Sequence, residues 1–226
     1  FLDVGQGDCF VADTKSGAII FDGGSSSEDQ VGRYRILPYM KYLGYQKIQI
    51  AVISHMDIDH YSGIKELLEM GKIKYLGLPE IPKDATMKKI IGIAKKRGTT
   101  IFYLSRGRQI TTKDGSLKVL HPQKNSQMEK NAASLVMQGK ILGYRVLLTG
   151  DVEKEGEEEL LSEELERADI LKAAHHGSKN STSNEFLQKV QPKQTVISCG
   201  KQNRYGHPHL ETIHRLQTYH TKIYRT

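Results

Sequence analysis

Tryptophan is missing from this chain of 226 residues, and cysteine occurs only at Cys9 and Cys199. Two cysteines so far apart offer neither the paired thiolates of a zinc finger nor a disulfide framework. One bridge between them is permitted, but nothing in the spacing asks for it. No apolar run reaches the ~18 residues that a membrane-spanning helix needs. Heptads, internal repeats and low-complexity linkers are also lacking, which excludes coiled-coil and solenoid architectures. The length suits one large domain or two small ones, and residues 1–226 are read as a single domain. Both ends are strand-like, Phe1-Leu2-Asp3-Val4 and Thr221-Lys222-Ile223-Tyr224-Arg225-Thr226, so a piece of a longer protein is expected.

Charge is present in excess and unevenly placed. The net charge is +7. Eight Glu stand against Lys154 and Arg167 between Val152 and Arg167, so the rest of the chain carries +13. Such a background favours a polyanionic partner through counterion release, although ordinary solubility charge would read the same way.

The richest stretch is Ser54-His55-Met56-Asp57-Ile58-Asp59-His60-Tyr61-Ser62-Gly63. An apolar, β-branched run at 48–53 precedes it and reads as a buried strand. A helix to Met70 follows. Two imidazoles and two carboxylates therefore share one strand-to-helix turn. Carboxylates buried there need a compensating charge, and a cation supplies it. Three more ligand-type strand ends follow the same pattern, at Asp22, at Asp151 and at His175-His176. If their strands lie side by side, the ends converge on one edge, which is what a two-metal hydrolase requires.

Around these points the pattern alternates. Strands are expected at 1–4, 8–13, 18–22, 48–53, 74–78, 99–103, 108–111 and 117–121. A hairpin of 133–138 with 144–149, then strands at 170–174 and 195–199, complete the set. Helices are expected at 32–43, 85–97, from 152 to about 166, at 184–190 and at 209–218. Antiparallel strands open each half and helices interleave with the rest. The fold class expected is α+β: an αββα sandwich of two packed mixed sheets with outer helices.

The turn His55-x-Asp57-x-Asp59-His60 resembles that of metallo-β-lactamase-fold hydrolases, with Asp57 where an imidazole is usual. Asp3-Val4-Gly5-Gln6-Gly7-Asp8, Leu148-Thr149-Gly150-Asp151, Leu171-Lys172-Ala173-Ala174-His175-His176-Gly177-Ser178 and Asn203-Arg204-Tyr205-Gly206-His207-Pro208-His209 resemble the soluble C-terminal domain of the ComEC competence family. The resemblance implies that His55 and Asp57 bind one metal. Asp59, His60 and one of His175/His176 bind the other, and Asp151 bridges. It casts Asp59, Asp151 and His175 as catalytic, with Asp22 orienting a ligand imidazole. Strand alternation leaves open which of His175 and His176 ligates.

The family's further imidazole for the first metal is absent from residues 131–136, and His121 lies only nearby, so that site is expected to be weak. Carboxylate-rich ligation suits Mn²⁺ or Mg²⁺, and zinc is also admitted. Asn131, Ser134, Lys172, Asn203 and His207 are candidates for substrate contact, while Asp3 and Asp8 read as turn residues. The resemblance further implies DNA as substrate, cut during uptake while the other strand passes a membrane channel of the same parent protein, on the extracytoplasmic face. The isolated domain is expected to be monomeric. Two other readings compete: a hydrolase of a small phosphoester or phosphocholine group, and a DNA-binding module with a degenerate metal site.

Overall fold

The computed structural model describes residues 1–128 and 130–226. Two sheets face each other. The first has five strands in sequential order: β1 (Phe10–Thr14), β2 (Gly17–Phe21), β3 (Ile48–Val52), β4 (Ile73–Pro79) and β5 (Thr100–Leu104). Only β1 and β2 pair antiparallel, and the others are parallel. The second has seven strands: β6 (Gln109–Thr112), β7 (Gly115–His121), β8 (Val136–Ile141), β9 (Tyr144–Leu148), β10 (Ile170–Lys172), β11 (Gln194–Ile197) and β12 (Lys222–Arg225). Its first four strands are antiparallel and its last four parallel. Parallel pairs need crossover helices, and these cover the outer faces. Helices α1 (Leu37–Tyr42), α2 (Ile58–Glu69) and α3 (Ala85–Lys96) flank the first sheet. Helices α4 (Lys154–Leu161), α5 (Asn184–Val190) and α6 (Leu210–Thr218) flank the second.

Strand alternation explains the layering. On β2, Ile19 and Phe21 point between the sheets, whereas Ala18 and Ile20 face the helices. On β9, Val146 and Leu148 point between the sheets and Leu147 faces the helices. Three apolar clusters result, one central and one under each helical layer. A fully buried aliphatic side chain contributes about 1.5–3 kcal/mol, so this four-layer stack is held chiefly by its interior. Caps fix the helix starts: Asp84 accepts from Met87 N at 2.7 Å and Ser183 from Phe186 N at 3.2 Å.

The αββα expectation holds, with local corrections. Residues 1–4 form no strand; Leu2 N donates to Cys9 O at 2.9 Å, outside any ladder. Asp8 lies before β1 because its backbone serves another element, its N–H donating to Asp59 O at 3.1 Å. The acidic helix stops at Leu161, not near Glu166. Gln138 on β8 holds the Glu166 backbone from both sides, at 2.7 and 3.1 Å, and so ties that segment to the sheet instead of the helix. Ala133 belongs to a 3₁₀ turn at Lys130–Ala133 rather than to the hairpin. Strand β10 ends at Lys172, because Ala174–Gly177 turns sharply with His175 (φ 46°) and His176 (φ 51°) in the left-handed region. Cys9 and Cys199 are buried and free.

Candidate metal centre

The ligand-type residues meet where strand ends from both sheets approach one another. The loop containing Gly7 and Asp8 makes this possible by lying on the 57–60 turn. A Cβ at Gly7 would sit 2.2 Å from Gly24 O and 2.6 Å from Asp59 O. Gly24 N donates to Asp8 O and Gly23 N to His60 O, which ties the loop, the end of β2 and the start of α2 together.

Asp8, His60, Asp151 and His176, all buried, each bring one ligand atom to a point where the four lie within 4.8 Å of one another. His60 Nδ1 donates to Asp22 Oδ2 at 2.9 Å, and Asp22 Oδ1 accepts from Ser54 N at 2.7 Å. His176 Nδ1 donates to Ser198 O at 2.8 Å. His55 Nδ1 pairs with Ser54 Oγ at 3.0 Å. In all three rings Nδ1 is engaged, and Nε2 is buried with no hydrogen-bond partner among the described residues. An imidazole fixed through one nitrogen with the other left free is the arrangement that ligates metals. Asp151 Oδ2 lies 3.1 Å from His60 Nε2 and 3.3 Å from His176 Nε2, at the centre. These orphaned nitrogens and clustered carboxylates fit a divalent cation.

The electrostatics agree. Burial would raise the Asp151 carboxyl, but His176, His60 and Lys172 outweigh it and hold it well below the usual range. Burial likewise opposes ionisation of Asp8, yet Lys172, His176 and His60 bring it down to about 2. Against burial, Asp151 and Asp22 push His60 well up, and Asp151 and Asp8 do the same for His176. Without a cation, protons on these two rings take over its charge. His55, by contrast, falls to about 3 through burial and repulsion by His60, so it stays neutral and free to ligate.

Of the two adjacent histidines, the structure brings His176 into the cluster. His175 lies at its edge, partly exposed, with Nδ1 2.7 Å from Glu153 Oε1 and Nε2 3.8 Å from Asp151 Oδ2. Asp59 stands beside the cluster, 3.4 Å from His176 Nε2. His55 and Asp57 are 3.8 Å apart on the other flank. His121 turns away: its Nε2 donates to Ala132 O at 2.6 Å and its Nδ1 is 3.2 Å from Glu159 Oε2.

Several expected contacts are placed differently. Asp8, read as a turn residue, is a member of the cluster; its position between a glycine-rich turn and the first strand was the available signal. Asp3 does form a turn, accepting from Gly5 N. Lys172, a candidate for substrate contact, is buried. Its ammonium lies on Asp8, 3.3 Å from Asp151 Oδ1 and 2.8 Å from Gly150 O, so carboxylates of the cluster occupy it. Ser134 is fully buried and accepts from Asp151 N at 3.2 Å, bracing that turn where substrate contact was expected. Asn203 uses its amide within its own loop, donating to Gly200 O and His207 O and accepting from Tyr205 N and His207 N. Asn131 keeps a buried Oδ1 without a hydrogen-bond partner among the described residues. His207 faces the cluster, its ring 5.3 Å from that of His175.

Two cavities open beside the cluster. One, about 270 Å³, is lined by Gln6, Asp59, His175, Arg204, Tyr205 and His207, among others. The other, about 580 Å³, lies beyond His55 and Asp57, with Met56, Ile81, Met87 and Met128 in its wall.

The sequence profile described as "Metallo-beta-lactamase superfamily" matches residues 2–201. This chain belongs to the metallo-beta-lactamase superfamily. Within the superfamily it matches ComEC-like competence proteins. It is 36% identical over 244 residues to "ComE operon protein 3" of Bacillus subtilis, a match covering 100% of this chain and 31% of that protein. To "Competence protein ComA" of Neisseria gonorrhoeae it is 29% identical over 231 residues, 99% of this chain and 30% of the relative. The chain thus spans under a third of the length of either. The superfamily fold is also seen against the metallo-beta-lactamase fold protein YhfI from Bacillus subtilis, with a TM-score of 0.63 at 14% identity over 97% of this chain and 88% of that one. No helix among the described residues is long and apolar enough to cross a membrane.

Proposed function

We propose that this domain is a metal-dependent phosphodiesterase that cuts DNA during bacterial uptake, degrading the strand that is not transported. It would act at the extracytoplasmic face, joined in its parent protein to a membrane channel. One observation carries the reading: the buried imidazole–carboxylate cluster opens into a cavity walled by Arg204, Tyr205 and His207. The competence names of the relatives support the uptake role.

Two cation positions are proposed. The first is held by Asp8, His60, Asp151 and His176, with Asp59 beside it. The second, between His55 and Asp57, is the weaker. It has fewer donors, and His121 faces elsewhere. Imidazoles suit Zn²⁺ and carboxylates suit Mn²⁺ or Mg²⁺. A bound divalent cation supplies Lewis-acid polarisation of a phosphoryl oxygen. The chain's own residues do the remainder. Asp22 and Ser198 hold the ligand rings in register. Glu153 fixes His175, whose Nε2 faces the cavity and can carry a proton to or from a reacting oxygen.

The test is metal-stripped domain with end-labelled linear DNA and Mn²⁺, Mg²⁺ or Zn²⁺ added back in turn. Cleavage that needs the ion and stops on chelation is expected. Turnover of a small phosphoester with DNA left intact would replace this reading by the small-substrate hydrolase. Turnover of neither would favour a DNA-binding module.

A further inference from the structure

The loop at 200–208 carries an arrangement that the cluster's chemistry does not use. From His176 outward, rings follow one another at small interplanar angles. His176 and His207 are 6.2 Å apart at 28°, and His207 and Tyr205 are 5.7 Å apart at 23°. Tyr205 is 44% exposed at the cavity rim. The Arg204 guanidinium lies 5.0 Å from the Tyr205 ring centre and donates to its hydroxyl at 2.8 Å. The loop is not loose, because Asn203 spends both ends of its amide in four hydrogen bonds within it.

Two buried polar atoms in the same wall have no hydrogen-bond partner among the described residues. Gln6 is 2% exposed; its Oε1 accepts from Gly200 N at 3.0 Å, which leaves Nε2 unpaired. His207 Nδ1 is also unpaired. Arg204, Tyr205 and Gln6 line both the 270 Å³ cavity and a smaller one of about 230 Å³. A solvent-facing aromatic ring with a guanidinium against it, beside unpaired polar groups, matches a stacked base joined to a phosphate. Aromatic rings and guanidinium planes stack bases of any sequence, while buried amide donors suit a phosphoryl oxygen.

We propose that Arg204 and Tyr205 form a nucleobase platform, and that Gln6 Nε2 and His207 line the adjoining phosphate subsite, so that one nucleotide beside the scissile bond is held unpaired. This rests on the DNA phosphodiesterase reading and adds to it a preference for single-stranded or frayed DNA. The base is recognised by its face, so its identity matters little.

The experiment is an abasic scan. Single-stranded oligodeoxynucleotides with one abasic site moved stepwise along the chain are cleaved by Mn²⁺-loaded domain, and kcat/KM is read for each. In the unaltered domain, an abasic site at one position relative to the cut should lower kcat/KM about tenfold, the scale of one lost base–aromatic stack. Tyr205→Ala should erase that position-specific penalty to within twofold, and Tyr205→Phe should keep it and so control for folding. Equal penalties in the unaltered domain and Tyr205→Ala, with DNA still cleaved, would overturn the platform alone. Failure of the unaltered domain to cleave any DNA would overturn the platform together with the reading beneath it.

Discussion

Replacing Asp22 by Asn isolates what an outer carboxylate does for the metal centre. Asp22 is fully buried and touches no solvent. One oxygen accepts from Ser54 N at 2.7 Å and the other from His60 Nδ1 at 2.9 Å. An amide matches the shape but can accept through one atom only. Either Ser54 N–H or His60 Nδ1–H would then meet an NH₂ group, and the His60 ring loses its fixed orientation or its basicity. Loss of such a partner costs about 10–100-fold in metal affinity, which is about 1.4–2.8 kcal/mol. Competition with a fluorescent chelator for Zn²⁺ or Mn²⁺ measures this directly, with thermal unfolding of the metal-free form as the control for folding. An affinity within twofold of the unaltered domain would refute the assignment of Asp22 as the orienting group of His60, leaving it a purely structural role.

Further predictions concern protons, charge and backbone approach. The folded-state pKa values of His60 and His176 lie well above 6.5 because of Asp151, Asp22 and Asp8, so metal must displace protons from both rings near neutral pH. Calorimetry in buffers of different ionisation enthalpy should show proton release, and affinity should rise with pH; a flat profile would count against both rings as ligands. A raised histidine pKa contributes stability that is complete below the unfolded value of about 6.5 and lost as pH rises through the folded value. The metal-free domain should therefore lose stability as pH is raised above about 6.5, and denaturant melts with and without Zn²⁺ would show whether only the metal-free form does so. Lys172→Met leaves Asp8 and Asp151 buried without their ammonium and should destabilise the metal-free domain by about 3–5 kcal/mol; a saturating divalent cation should restore part of this, and no recovery would contradict a shared site. Gly7→Ala forces a methyl group onto two carbonyl oxygens and should cost about 1–3 kcal/mol as overpacking, with loss of metal from elemental analysis; full metal content would show that the Asp8 loop can shift without opening the cluster.

Much of this was legible because the fold repeats one local device, an apolar strand ending in a ligand-bearing turn. The 48–53 run, the 57–60 turn and the strand leading to His175 could be read from period and residue type. Asp8 was harder: its place between a glycine-rich turn and the first strand hints at it, but only the close approach of Gly7 to Gly24 and Asp59 makes that turn part of the cluster. Lys172 was equally opaque: a lone lysine on a strand reads as solvated until Asp8, from far away in sequence, is found against it. The choice of His176 over His175 depended on left-handed backbone at both positions, which no side-chain alternation rule covers. The stacking of Tyr205 on His207 was not legible either, since ring stacking across three residues is a property of loop shape.

The two halves of the chain are stitched together at the centre itself. Ser198 Oγ donates to Gly7 O at 2.7 Å, and Gly200 N donates to Gln6 Oε1 at 3.0 Å, contacts that join residues 191 and 194 positions apart. Asp8, Asp22 and His60 come from one half; Asp151 and His176 come from the other. During synthesis, then, the ligand set stays incomplete until His176 has left the ribosome. The same geometry makes the centre divisible: two fragments cut between β5 and β6 carry complementary halves of one ligand set, and regain of metal binding on mixing would report their reassociation.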